Sequence, residues 1–357
     1  MHGRARLSEP PSAEAAAAQA KRAATYTELS RVLLARRKEG DVGPETFELV
    51  GKMLRSNPDF STLWNYRRDI LLSRGSAEGV PLAAALAARQ AGGGDKEAFV
   101  VPQSLGGEML KVELALTEDC IKKNPKSYGA WYHRQWLVSH FEFDAKAELD
   151  LCAMLLTADQ RNFHCWNYRR FVAKASGASS QSEFEFSTLK LNENFSNYSA
   201  FHHRSVYISD LALTESAFQH LVTTELSLVE NAIFTEPDDQ SAWWYRQFLL
   251  TWMIRGFQGK EGRDAAATAT ECEQQPSVSW VQQTLLQQVE LLDGLLEIEA
   301  GCRWAAEAAL QTLRLLVAHG GGGGAGGEWA SAKELQLLEQ IKALTRPTTP
   351  VLLHRRL

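Results

Sequence analysis

The chain has 357 residues, a formal net charge of −5, 45% hydrophobic and 23% charged residues, the balance of an ordinary soluble protein. That charge gives no basic footprint for nucleic acid, and the longest apolar runs, such as Leu82–Ala88, are far too short to span a bilayer. Five cysteines, Cys120, Cys152, Cys165, Cys272 and Cys302, are odd in number and lack CxxC spacing, so they are expected to be reduced core thiols of a cytoplasmic protein and to build no metal site.

No apolar stretch of the secretory kind follows the N-terminus, and Glu9 and Glu14 argue against a mitochondrial leader. After a turn-rich start with Pro10 and Pro11, the spacing of Tyr26, Leu29, Val32 and Leu33 predicts an amphipathic helix from Ala13 to about Arg37, stopped near Gly40. Residues 1–39 therefore read as an N-terminal tail and helix.

Five copies of one unit fill residues 40–254. Trp64-Asn-Tyr-Arg-Arg, Trp131-Tyr-His-Arg-Gln, Trp166-Asn-Tyr-Arg-Arg, Phe201-His-His-Arg-Ser and Trp243-Trp-Tyr-Arg-Gln align, with an aromatic first and Arg67, Arg134, Arg169, Arg204 or Arg246 three places on. An amphipathic run precedes each copy, and a polar break such as Asn57-Pro58 or Asn124-Pro125 separates the two. The unit is helix, short turn, helix, with Pro tolerated near the start of the second helix. One helix pair cannot bury its apolar stripe alone, whereas stacked pairs can. The predicted fold is all-α, an α-α superhelix forming a crescent solenoid of helix-pair repeats. Each aromatic is expected between repeats, and each Arg is expected to be buried by its stem and paired to an acid or a carbonyl.

A flexible insertion at about 75–107, rich in Gly and Ala, flanks a short predicted helix through Ala83–Arg89. A polar linker spans 255–277, and 278–357 holds C-terminal helices: one over Val278–Glu299, a degenerate sixth copy headed by Trp304 with Glu307 in the Arg place, and a last one over Glu328–Leu344 that caps the stack. The glycine run 320–327 reads as a linker, since no GK[ST] follows it.

Chemistry is suggested five places before each aromatic, where the residues are Asp59, Lys126, Arg161, Ser196 and Asp238. Helix N-termini favour acids or small polar groups there. Lys126 and Arg161 are cations instead, and in a stack of repeats they stand side by side near two positive helix ends. This suits an anion, above all a phosphate, with Ser127, Tyr128, Asn162 and His164 as nearby donors. A solvated basic pair beside a satisfied core histidine is the alternative reading. No Ser-His-Asp set or metal-ligand set can be assembled from the repeats, so any catalytic machinery is incomplete in this chain.

The stretch Asn57–Arg68 resembles the first repeat of protein prenyltransferase α subunits. Asn-Pro-Lys-Ser-Tyr-Gly-Ala-Trp at 124–131, Arg-Asn-Phe-His-Cys-Trp-Asn-Tyr-Arg-Arg-Phe-Val-Ala at 161–173, Asn-Phe-Ser-Asn-Tyr-Ser at 194–199 and Asp-Asp-Gln-Ser-Ala-Trp at 238–243 are most similar to the α subunits of the Rab, or type II, geranylgeranyltransferases. The resemblance implies an α subunit wrapped around a β subunit that carries the catalytic zinc and the isoprenoid pocket. That heterodimer transfers geranylgeranyl from geranylgeranyl diphosphate to C-terminal cysteines of Rab GTPases presented by a Rab escort protein. Lys126 matches the family lysine that contacts the diphosphate and is the implied catalytic contributor. Tyr128, Asn162 and His164 match neighbouring positions facing the active site, and Arg161 joins them from the helix-end argument. The Met-His start also resembles the family, so His2 is either a ligand to the partner's zinc or part of an untethered terminus. Two departures stand out. Phe201 replaces the fourth Trp, and no strand-rich segment or leucine-rich period follows the repeats as it does in animal subunits. Two other readings stay open: the α subunit shared by farnesyltransferase and type I geranylgeranyltransferase, which act on CaaX tails, and a helical-repeat scaffold without catalysis.

Overall fold

A computed structural model of the chain describes residues 12–75, 107–211, 213–258, 278–320 and 325–345. His2, Cys272, the body of the 75–107 insertion with its predicted short helix, residues 259–277 of the linker and 321–324 of the glycine run lie outside the described residues. Fourteen helices and no strand occupy the described residues. They fall into two compact units, Met1–Gly177 and Ala178–Leu357.

The first unit holds α1 (Ala13–Lys38), α2 (Pro44–Ser56), α3 (Ser61–Gly75), α4 (Gly107–Lys123), α5 (Tyr128–His140), α6 (Ala145–Ala158) and α7 (Phe163–Ser176). The second holds α8 (Ser180–Glu193), α9 (Tyr198–Ile208), α10 (Glu215–Thr235), α11 (Gln240–Gln258), α12 (Val278–Ile298), α13 (Arg303–Ala318) and α14 (Ala325–Thr345). Local chemistry sets the helix starts. Ser127, Asp144, Asn162, Ser179, Asn197 and Thr214 each accept backbone amides of the first turn, which satisfies donors that have no partner inside the helix. Gly40, with φ 75°, takes the left-handed turn that follows α1.

Two devices recur between successive helix pairs within a unit, though not at every joint. The first is a shared carbonyl. The Pro58 carbonyl accepts from Trp64 Nε1 and from Ser127 Oγ of the next pair, both at 2.8 Å. The Pro125 carbonyl accepts from Trp131 Nε1 at 2.8 Å and Asn162 Nδ2 at 3.1 Å. In the second unit the Pro237 carbonyl accepts from Trp243 Nε1 at 2.8 Å and from Cys302 Sγ at 3.6 Å. One residue thus caps its own helix and braces that helix to the preceding pair. Ser127→Ala removes both contacts at a buried site, and should lower stability by about 1–2 kcal/mol in a urea melt; no change would mean that water replaces them.

The second device is a buried acid shared by two repeats. Arg67 Nε lies 2.8 Å from Glu113 of the next pair, and His133 Nε2 lies 3.0 Å from the same carboxylate. Arg134 makes a two-bond contact with Glu148 at 2.8 and 2.7 Å, and Tyr168 Oη donates to Glu148 at 2.7 Å. In the second unit Arg204 and Tyr245 hold Glu225 in the same way, at 2.6–2.7 Å. Each of the first four Arg residues also donates Nη1 to a carbonyl twenty residues back in its own pair. The fifth differs. Arg246 is buried and donates to Gln288 Oε1 and Thr312 Oγ1, both at 3.1 Å, rather than to a carboxylate. Burial pushes its pKa down to about 10, only partly offset by Glu230.

These bonds correct the register of the sixth pair, α12 and α13. Cys302 is its N-cap and takes the bracing place that Ser127 and Asn162 hold earlier. Counting from that cap, the aromatic and Arg places fall on Ala306 and Ala309, both fully buried, and not on Trp304 and Glu307. Glu307 instead pairs with Arg303 on the helix surface. Small side chains let α13 pack closely where the earlier pairs use an indole and a guanidinium.

Candidate anion site on the second and third repeats

The turn Asn124–Ser127 is held from inside. Asn124 Oδ1 accepts the Lys126 amide at 3.2 Å, and Asn124 Nδ2 donates to Asp59 at 2.9 Å. Ser127 is the cap, so Lys126 lies one residue before it and not within the first turn of α5. Arg161 has the same place before the Asn162 cap of α7. The cations therefore stand just outside the helix ends, free of the crowding of the first turn but still in the positive field of the N-terminus. The bond from Asn162 Nδ2 to the Pro125 carbonyl sets the two turns against each other.

Lys126 is exposed, and no described residue pairs with its ammonium. Its charge acts on His164 of the next repeat. That histidine is 7% exposed, yet Nε2 has no hydrogen-bond partner. A buried polar nitrogen left open in this way is uncommon. Burial first, and the Lys126 charge second, hold the His164 pKa below the ordinary imidazole value. The Tyr128 ring meets the imidazole edge-on at 4.4 Å, Phe163 lies at 3.9 Å, and Trp131 is stacked at 6.5 Å. Tyr128 is 72% exposed, so its hydroxyl is available at the mouth. The arrangement is an exposed ammonium, a buried neutral imidazole whose Nε2 has no partner, and an exposed tyrosine over it.

Asn162 belongs to the frame of this site. Its Oδ1 accepts from the His164 and Cys165 amides at 3.0 and 3.3 Å while Nδ2 braces Pro125. Trp131, the repeat-heading aromatic, walls His164 together with Phe163, which carries no signature in the sequence. Among the described residues no group of three His, Cys, Asp or Glu side chains is placed to hold a metal, and no helix is long and apolar enough to cross a membrane.

The pH dependence has a defined sign. Because the folded pKa of His164 is depressed, the unfolded chain takes up the proton first as pH falls. The stability from a neutral His164 is complete above about pH 6.5 and is lost as pH drops through the lower folded value. His133, buried beside Glu113 and also depressed by burial, adds in the same direction. His164→Phe should flatten the fall in urea midpoint between about pH 7 and pH 5 relative to the parent; parallel curves would show that His164 is not held neutral.

Repeated helix pairs, joined through caps and shared acids, define a helical-repeat protein. Residues 44–74, 110–141, 145–176, 180–211 and 222–253 match the sequence profile of the protein prenyltransferase alpha subunit repeat. The chain belongs to that family. It is 36% identical over 259 residues to the geranylgeranyl transferase type-2 subunit alpha of Mus musculus, covering 70% of this chain and 42% of the mouse protein. It is 32% identical over 241 residues to the subunit of that name from Saccharomyces cerevisiae, covering 64% of each. The chain thus spans under half the length of the mammalian relatives it matches. Among solved structures, Candida albicans protein geranylgeranyltransferase-I complexed with GGPP aligns over 90% of this chain and 91% of that one, with a TM-score of 0.53 and 18% identity. That likeness bears on the fold alone.

Proposed function

We propose that this chain is the α subunit of a type II protein geranylgeranyltransferase. Paired with a β subunit, it would support transfer of geranylgeranyl from its diphosphate to C-terminal cysteines of Rab GTPases presented by an escort protein, in the cytoplasm. The observation that carries this reading is Lys126, exposed and without a partner among the described residues, whose charge acts on the buried His164 of the next repeat, together with the relatives' shared name.

In the reaction the cysteine sulfur forms a bond to C1 of the prenyl chain, the C1–O bond breaks, and the diphosphate leaves with the electron pair; the thiol proton goes to solvent. Charge grows on the leaving oxygens, and a fixed ammonium aimed there lowers the barrier without having to reorganise. Lys126 has that role. Arg161 adds a second positive charge, the Tyr128 hydroxyl donates a hydrogen bond, and neutral His164 offers a ring N–H. Asn162 positions the pair of turns. The zinc that would bind the thiolate belongs to the β subunit.

The test is geranylgeranyl transfer by this chain co-expressed with a type II β subunit. A Rab–escort complex should be prenylated and a CaaX peptide should not. Transfer to the CaaX peptide alone would assign the chain to the farnesyl and type I group. A stable heterodimer without transfer to either would favour the scaffold reading.

A further inference from the structure

The fourth repeat departs from the others at one place. Trp64, Trp131, Trp166 and Trp243 each donate an indole N–H to the carbonyl six residues back, at 2.8–2.9 Å. Phe201 of α9 stands in that place and has no N–H. Among the described residues nothing donates to the Phe195 carbonyl six residues back, because the brace from the next repeat, Ser241 Oγ, goes to the Ser196 carbonyl at 3.1 Å. Phe201 keeps the stacking role of its counterparts. It lies 4.9 Å from Tyr245, as Trp131 lies 5.5 Å from Tyr168. What the substitution removes is the second ring and its donor.

A hollow of about 180 Å³, open to solvent on one side, lies there between α8, α9 and α10. Its floor is the buried apolar set Leu191, Phe201 and Ala232, with Leu228 half-buried beside them. Its mouth is polar and exposed, formed by Asn192, Asn231 and Thr235. No charged side chain lines it. An acceptor without a donor at its edge selects for a ligand that supplies one.

We propose that this hollow is a binding site for an uncharged planar aromatic of the indole class. The rings fill the floor, the N–H donates to the Phe195 carbonyl, and a polar substituent meets the asparagines at the mouth. The site is independent of prenyl transfer and stands or falls without it.

The test titrates the full chain, as the heterodimer if it is obtained that way, with indole, with benzothiophene as the same shape lacking N–H, and with N-acetyltryptophanamide, followed by calorimetry. Indole should bind saturably and benzothiophene roughly threefold to tenfold more weakly, the worth of one neutral hydrogen bond. Phe201→Trp should abolish binding and raise the melting temperature, because the missing indole is then built in. Ala232→Leu fills the same space from α10 and should abolish binding as well, so the idea can still be tested if the first variant folds poorly. Tryptophanamide binding as tightly as indole would support the site with a partner's tryptophan as occupant; indole alone would support a free small molecule. Absence of saturable indole binding, equal affinity for benzothiophene, or undiminished binding by both variants would overturn the proposal.

Discussion

Glu148→Ala is expected to destabilise the chain by about 3–5 kcal/mol, the cost of breaking a buried ion pair by removing one partner. Glu148 is 3% exposed and accepts two bonds from Arg134 and one from Tyr168. Alanine leaves a guanidinium, itself 3% exposed, with only the Leu114 carbonyl and the Thr117 hydroxyl. It also leaves the Tyr168 hydroxyl buried without its acceptor. Against a total stability of about 5–15 kcal/mol for a typical domain, that is a large fraction. The loss does not measure a net benefit of the pair, since a well-packed apolar replacement of all three groups is often neutral. Glu148→Gln should fall between, because it keeps an acceptor and loses the charge. Urea midpoints for the three proteins decide the matter. A cost under about 1 kcal/mol for alanine would mean that water reaches Arg134 and that the joint is loose.

The second large effect is on rate and not on folding. In the heterodimer, Lys126→Ala should reduce kcat for geranylgeranyl transfer by about tenfold or more, with a single preorganised electrostatic contact commonly contributing 10²–10³. Stability should be unchanged or slightly higher, because Lys126 is exposed, has no side-chain partner among the described residues, and stands near a positive helix end. Lys126→Arg should recover part of the rate, since the charge remains and its geometry changes. A fall in kcat with the Tm held fixed separates the electrostatic role from a structural one. Equal rates for parent and alanine variant would remove Lys126 from the reaction while leaving the family assignment in place.

Much of this architecture was legible along the chain because it is local. A cap, a turn proline and an aromatic four residues past the cap act within one or two helical turns, so their order in sequence is their order in space. The five copies, the helix at 13–37 and the cations before the caps at Ser127 and Asn162 could all be read that way. The acids that hold the repeats together were less visible. Glu113, Glu148 and Glu225 each lie eighteen residues before an aromatic, a regularity that points to them only once the Arg partners are known. On an amphipathic helix a glutamate reads as solvated surface.

Local spacing by itself determined that the chain is all-α, that it repeats, and that one edge of the second and third repeats is unusually cationic. Tertiary structure alone decided which groups meet. It paired Arg134 with Glu148, tied Asn162 to the Pro125 carbonyl, and left the buried His164 Nε2 without a hydrogen-bond partner. It also moved the sixth register from Trp304 to Ala306 and left the Phe195 carbonyl without its indole. The physical reason is the same in each case. Hydrogen-bond satisfaction and close packing are properties of neighbours brought together across the fold, and nothing in the spacing along one helix states who those neighbours are.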